Sequence, residues 1–274
     1  MAQHHICLTF DFDSVSLWMA LGQTSPTPIS RGEFGVVAAG RILRLLAKHE
    51  IKSTWFIPGV TLQTYPDICQ EICEHGHEIA HHGFTHVSPA NMSRSEELET
   101  LKRGNEAIKK ISGNYARGYR SPAWDLSESS VDLLLDQGFI YDSSMMAHDH
   151  LPYFARHGDV LDAESIHFGE PSSLIEMPIS WSLDDFPHFE YFRGTGLMNA
   201  NQVLDNWLGD FTFMQSETEW GVLTYTFHPF VIGRGHRMLI LEQLIEQLKS
   251  AGALFKSVEE AADLFIARDE MGSE

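Results

Sequence analysis

Apolar residues fall along this chain in two rhythms. Short uninterrupted runs read as buried strands, and longer stretches with an apolar residue every third or fourth position read as helices. Residues 6–11 form the first strand-like run, which ends in polar groups. A stretch rich in Pro, Ser and Gly (residues 23–35) predicts a loop, and residues 36–48 predict a helix. Residues 51–57 are β-branched and aromatic and stop at Pro58-Gly59. Residues 61–75 predict a helix closed by Gly76, and residues 77–82 a short strand. Residues 93–111 predict a helix, because Ser93 followed by Glu96 makes a capping box. Residues 116–120 read as extended, and residues 127–137 as a capped helix with Glu128 in its first turn and Gly138 just beyond it.

Residues 141–173 lack a pattern and are rich in Asp, His and Pro, the kind of long irregular segment that covers a functional site. Strand and helix then alternate again: strand 174–179, helix 201–215, strand 222–227, helix 236–251, strand 253–256 and helix 258–267. Such alternation predicts an α/β fold with a parallel sheet, open or closed into a barrel. No repeat, linker or low-complexity tract interrupts it, so residues 1–274 read as one domain. In sheets of this kind the chemistry collects at the C-terminal ends of the strands.

Composition narrows the partners. Charged residues are 21% of the 274 and aromatics 11%, which excludes a disordered, charge-rich chain. Nineteen Lys and Arg against 38 Asp and Glu leave a net charge of -19, which repels nucleic acid and anionic membrane surfaces. Cys7, Cys69 and Cys73 match neither a disulfide framework nor a zinc knuckle. The first residues have no secretory-signal pattern, and no run approaches the roughly 18 apolar residues of a membrane span. Cytoplasmic is the expected location.

The reactive residues do gather at the strand ends. The first strand finishes Thr9-Phe10-Asp11-Phe12-Asp13, and alternation puts Asp11 and Asp13 on one face with Phe12 on the other. Two carboxylates that close repel unless a cation lies between or beside them. Taken alone, such a pair more often caps a turn. The third strand runs into His77-Glu78-Ile79-Ala80-His81-His82-Gly83-Phe84-Thr85-His86. A helical turn starting near Gly83 would set His82 and His86 on one side, the pair spacing a metal ion needs. Two imidazoles with one carboxylate leave zinc an open fourth position for water. His77 and His81 share that spacing but, on a strand, stand further apart. Arg120 and Trp124 end the fourth strand, where Arg120 either pairs at the rim or holds Asp11 ionised. His228 ends the strand 222–227, and an imidazole there titrates near neutrality and suits a general acid.

Thr-Phe-Asp-x-Asp, His-Gly-x-x-His, Arg-x-Pro and a late His-Pro, in this order, resemble the polysaccharide deacetylase family with its NodB-homology domain. The resemblance spans roughly residues 6–265 and implies a distorted (β/α) barrel with about seven parallel strands. It implies Asp11 as general base, Asp13 as carboxylate ligand and His82 and His86 as imidazole ligands. Arg120 would steady the base and His228 act as the acid. An acidic residue that orients the histidine is also implied, with Asp142, Asp184 and Asp185 all in suitable segments. Phe12 between the aspartates departs from the secreted members, whose aspartates are adjacent. That insertion, residues 30–35, residues 76–83 and residues 233–237 are similar to an intracellular subgroup. That subgroup holds allantoinase-like proteins, cyclic imide hydrolases and an atypical peptidoglycan deacetylase. Allantoinase-like members lack the metal ligands, whereas Asp13, His82 and His86 are present here.

The resemblance implies a metal-dependent hydrolase of amide-type C–N bonds other than peptide bonds. Its one divalent ion is expected to be zinc, with cobalt, nickel and iron accepting the same ligands. The expected substrate is a small cyclic imide, ureide or N-acyl compound in a covered pocket, with Trp124 and Trp181 as walls. Deacetylation of peptidoglycan or chito-oligosaccharides, acting on an N-acylated sugar, is the second expectation. A non-catalytic carbohydrate-binding barrel is the third. The subgroup also implies a homo-oligomer, a tetramer or a dimer.

Overall fold

The computed structural model describes residues 2–191 and 196–272. The chain opens with β1 (Gln3–Asp11), α1 (Ser16–Ala20), α2 (Pro26–Lys48), β2 (Thr54–Ile57), α3 (Gly59–Thr64) and α4 (Pro66–Glu74). It continues with β3 (Glu78–His81), α5 (Arg94–Ser112), β4 (Gly118–Tyr119), α6 (Ser130–Asp136) and β5 (Tyr141–Asp142). Four further strands follow: β6 (Tyr153–His157), β7 (Val160–Leu161), β8 (Ile166–His167) and β9 (Glu170–Glu176). The remainder is α7 (Asp185–Phe189), α8 (Ala200–Glu217), β10 (Trp220–Phe227), α9 (Pro229–Ile232), α10 (Gly235–Ser250), β11 (Leu254–Lys256) and α11 (Val258–Gly272).

The main sheet runs β10-β1-β2-β3-β4-β5-β9-β6, and β11 pairs with the first half of β1. Seven successive strands, β10 to β9, are parallel, while β6 joins antiparallel to β9. A single parallel bridge, Asp184 to Thr226, approaches β10 from its other side, so the sheet curls into a distorted (β/α) barrel. Both faces are buried, as a parallel sheet requires. Ile6, Leu8, Phe10 and Phe12 of the β1 segment pack outward into the larger core beneath the helices. Cys7 points the other way, into a smaller core with Phe56, Ala80, Tyr141, Ile175, Met177 and Val222. Val258, Ala261 and Ala262 of α11 complete that inner core. The first N–H groups of α11 bond to Thr54 Oγ1 (2.8 Å) and Glu78 Oε2 (3.1 Å), at the starts of β2 and β3. Helix α11 therefore closes the floor, and the opposite end is left as the mouth. Among the described residues no helix is long and apolar enough to cross a membrane.

Several elements differ from the pattern-based expectation. Helix α2 begins at Pro26, well inside the expected 23–35 loop. Pro26 stands at the first helical position, where its fixed φ helps. Gly32 looks like a loop residue but is a packing residue: a β-carbon there would meet the Ser14 carbonyl oxygen at 2.7 Å. The expected helix 61–75 is two helices, because Pro66 cannot continue α3 and starts α4 instead. The helix expected from 127 starts at Ser130, with the Ser130 hydroxyl bonding the Ser127 N–H in the preceding turn. Residues 141–173 carry five strands or parts of strands rather than an irregular cover. The capping box of α5 is present in full, with Ser93 and Glu96 bonding reciprocally.

Candidate active site at the mouth of the barrel

Four strand ends converge on one cavity. It encloses about 170 Å³ and is lined by Asp11, Asp13, Leu17, His82, His86, Ala123, Trp124, Trp181, Asp184, Phe186 and His228. None of residues 141–173 lines it, so that segment does not cover the site.

Asp11 is the last residue of β1 and Asp13 follows in the turn. The Phe12 N–H bonds to the Phe56 carbonyl at 2.9 Å, which turns Phe12 into the core and both carboxylates into the cavity. The Asp13 carbonyl accepts from the Ser16 N–H and hydroxyl and from the Thr61 hydroxyl, fixing that turn. Its carboxylate is 1% exposed, and neither oxygen has a hydrogen-bond partner. What faces them is imidazole: His82 Nε2 lies 3.3 Å from Oδ1 and His86 Nε2 3.3 Å from Oδ2.

His82 and His86 do come together, with ring centroids 5.1 Å apart, but no helical turn brings them there. Residues 84–86 form a bend, and Gly83 (φ 67°) before it and His86 (φ 58°) at its end are left-handed. Glycine suits the first position, since a β-carbon there would also meet the Pro122 ring at 2.9 Å. His82 Nδ1 donates to the Arg120 carbonyl at 2.7 Å, which leaves the Nε2 lone pair aimed at Asp13. Burial works against ionisation of Asp13, yet His86 and His82, when they carry protons on Nε2, outweigh it and hold the carboxyl well below the usual range. His77 and His81 stay apart from this cluster. His77 Nδ1 accepts from the Ser53 N–H, and His81 lies between the Leu101 carbonyl and the Gly83 N–H. Burial lowers both imidazoles, to about 4 and about 3 respectively.

Arg120 is fully buried and donates Nη1 to Asp11 Oδ1 at 2.7 Å and to the Thr9 hydroxyl at 2.8 Å. Its Nε and Nη2 bond to the Ser143 carbonyl and hydroxyl, and its plane lies 4.0 Å over the Phe56 ring. The guanidinium is thereby fixed on every side, and Asp11 with it.

His228 caps α9 from the end of β10. Asp185 Oδ1 accepts from both the His228 N–H (2.9 Å) and Nδ1 (2.8 Å). Asp184 Oδ1 is 3.4 Å from the same Nδ1, while its hydrogen bond goes to the Phe186 N–H. The other nitrogen, Nε2, faces the cavity 3.7 Å from Asp13 Oδ2. Burial lowers the imidazole, but Asp184 and Asp185 together raise it well above its ordinary value. Of the three candidate orienting residues, Asp185 makes the bond and Asp184 stands beside it. Asp142 belongs elsewhere: it accepts from Ser144 Oγ and pairs with Glu176 across the β5–β9 register. Burial and the neighbouring Asp142 push Glu176 well above the usual carboxylate range, so this pair holds a proton.

Ser143 and Glu176 had no sequence signal. They reach the site through strand pairing: Glu176 Oε1 accepts the N–H groups of Ser144 and Met145 and so shapes the segment that grips Arg120. Trp124 and Trp181 both line the cavity, and their rings stack at 4.2 Å with 26° between planes.

The residues at Asp13 fit a divalent ion. A buried carboxylate with both oxygens unbonded is costly, and two Nε2 lone pairs beside it complete a three-ligand set open on the cavity side. This arrangement sets at the mouth a carboxylate flanked by two imidazoles that could hold an ion, an acid paired with a guanidinium, and an imidazole braced by two carboxylates.

Residues 2–141 match the family described as polysaccharide deacetylase. The Peptidoglycan deacetylase of Helicobacter pylori is 33% identical over 278 residues, covering 94% of this chain and 95% of that protein. A crystal structure from Mycobacterium smegmatis, provisionally described as a polysaccharide deacetylase, superposes with a TM-score of 0.85. It is 28% identical and covers 98% of this chain and 92% of its own. The structure of Puue allantoinase gives a TM-score of 0.81 at 19% identity, over 97% of this chain and 91% of its own, a likeness of fold.

Proposed function

The chain belongs to the polysaccharide deacetylase family, hydrolases of carbon–nitrogen bonds other than peptide bonds, and from that premise we propose the following reaction. The chain cleaves the amide-type bond of a small cyclic imide, ureide or N-acyl compound, and Asp13, His82 and His86 would hold a divalent ion for that reaction. The observation that carries this reading is the unbonded Asp13 carboxylate facing two imidazole nitrogens, between Asp11–Arg120 on one side and His228–Asp185 on the other.

When bound, the ion polarises a carbonyl and acidifies water, and zinc suits this ligand set best, with cobalt, nickel or iron as substitutes. Asp11 accepts the proton of the attacking water, and Arg120 keeps it aimed while it does so. His228 gives its proton to the departing nitrogen, a poor leaving group unless protonated. Asp185 orients that ring and favours its charged form. Leu17, Trp124, Trp181 and Phe186 supply apolar walls that exclude bulk water.

Cavity size supports the compact substrate. About 170 Å³ falls short of the roughly 300–1,000 Å³ that drug-sized ligands occupy. The second reading, N-deacetylation of a peptidoglycan or chito-oligosaccharide unit, is favoured by the similarity to the Helicobacter pylori protein. Cys7, Cys69 and Cys73, none of them bridged, support a cytoplasmic site of action, and subgroup resemblance supports a homo-oligomer. The test is a panel of succinimide, hydantoin, allantoin and N-acetylated chito-oligomers with chelated and zinc-restored protein. Turnover of an imide or ureide that vanishes on chelation and returns with zinc is expected. Turnover of chito-oligomers alone would transfer the assignment to the second reading, and full turnover after chelation would remove the ion from the mechanism.

A further inference from the structure

The two tryptophans at the mouth differ in how they are held. Trp124 is pinned. Its N–H bonds to the Ser121 carbonyl at 3.0 Å, and the Ser121 hydroxyl bonds to the Asp125 carbonyl at 2.6 Å. Ser121 is itself buried and takes the Ser144 hydroxyl on its N–H at 2.8 Å. The Arg120 guanidinium stands 5.9 Å from the Trp124 ring centroid. Ala123 (φ 59°) and Trp124 (φ 55°) are consecutive left-handed residues, a costly backbone for residues with side chains. That cost persists because the surrounding bonds over-determine the turn, and its effect is to present the indole across the cavity.

Trp181 is the opposite case. It is 48% exposed and opens a one-turn 3-10 helix, Trp181–Leu183. Ser180 and Ser182 bond each other, the Leu183 N–H bonds to the Ser180 carbonyl at 2.9 Å, and the Ser182 carbonyl accepts from the Trp207 indole N–H at 2.9 Å, so the backbone is held and the exposed Trp181 side chain is the lightly tethered part. Firm attachment begins just after it, where Leu183 is buried and Asp184 both caps α7 and bridges to Thr226. Among the described residues, the aromatic ring stacked on Trp181 is that of Trp124. A fixed leaf and a lightly tethered leaf thus meet face to face over a cavity of about 170 Å³.

We propose that the Trp124–Trp181 stack is a size filter, which admits compact, flat amides with the leaves together and excludes bulkier acylated sugars until Trp181 swings away. This narrows the substrate class of the site described above and rests on that reading for its meaning. The filter itself is a property of access, and its test needs neither turnover nor a bound ion. The energetic asymmetry sets which leaf moves: separating the rings costs one stacked aromatic contact, whereas moving Trp124 disturbs the bonds of Ser121 and the support of Arg120.

Leu17 lines the same cavity, so Leu17→Cys places a thiol inside the filter. Cys7 and Cys69 are buried and burial raises both thiols, so a Cys73→Ser background removes the remaining partly exposed one. The Leu17→Cys, Cys73→Ser protein is treated with methyl methanethiosulfonate and with a bulky benzophenone methanethiosulfonate, in the presence and absence of Trp181→Ala. With Trp181 present, the small reagent is expected to react at least tenfold faster than the bulky one, relative to their rates on free cysteine. Trp181→Ala should collapse that preference to within about threefold, and Trp181→Phe should leave it between the two. Equal rates with Trp181 in place would overturn the filter, as would a preference unchanged by Trp181→Ala. A chito-oligomer turned over by the parent leaves this measurement untouched, so failure of the substrate reading and failure of the filter are told apart.

Discussion

At the floor of the barrel, Glu78 is surrounded by donors: Tyr141 Oη at 2.6 Å, Thr54 Oγ1 at 2.6 Å and the Glu259 N–H at 3.1 Å. At the mouth, Asp13 is more deeply buried and has no hydrogen-bond donor on either oxygen. Glu78 starts β3 and Asp13 follows the end of β1, so the two carboxylates stand at opposite ends of the same parallel sheet. The difference shows what each end is for. A satisfied buried acid ties elements together, here α11 to β2, β3 and β5. An unsatisfied one costs free energy and persists where something else is meant to bind it. Polar groups alone therefore do not mark the working end of the barrel; a buried carboxylate with both oxygens unbonded beside two imidazoles does.

Three substitutions sharpen that contrast. Asp11→Asn at the mouth should lower kcat about 10³-fold while the protein stays folded and keeps its ion, measured by turnover and elemental analysis. A variant as active as the parent would show that another group takes the proton. Arg120→Met leaves the Asp11 charge buried without its partner, and breaking such a pair costs about 3–5 kcal/mol. Denaturant melts should record that loss together with a fall in turnover; stability equal to the parent would mean that Ser143 and Thr9, not Asp11, define the guanidinium's role.

Glu78→Gln at the floor is the smallest effect and depends on pH. Burial raises the Glu78 carboxyl to about 7 from 4.5, so the folded protein holds a proton that the unfolded chain gives up earlier. Its contribution to stability is full below about pH 4.5 and is lost as the pH rises through about 7. The amide keeps an acceptor for Thr54 and Glu259 and does not titrate. Its Tm should therefore match the parent near pH 5 and exceed it by roughly 3 °C or more near pH 8. A parent that gains stability relative to the variant on going from pH 5 to 8 would contradict the assignment.

The mouth was more legible in the sequence than the floor. Asp11 and Asp13 announce themselves because a strand's period of two is exact, and Ser93 with Glu96 announces a helix because both halves of the cap are local. The spacing of His82 and His86 suggests a helical turn, but two left-handed residues fold the two rings together instead. Choosing Asp185 over Asp184 and Asp142 required distances that no local pattern encodes. Gly32 reads as a loop former until Ser14 is seen pressing on it, and Ser143 and Glu176 acquire their roles from strand register. What the sequence hides in each case is a contact between segments far apart in the chain.

The position of β1 has a consequence for synthesis. Its neighbours are β10 on one side and β11 followed by β2 on the other, so most of the strand that leads into both aspartates is hemmed in by β10 and β11, segments translated last. A ribosome-tethered chain of the first 200 residues would expose that apolar ribbon with most of its edges unmatched, which invites chaperones and slow, late assembly. Competence for any chemistry would then arrive abruptly, when the C-terminal quarter emerges, rather than building up as the polypeptide lengthens.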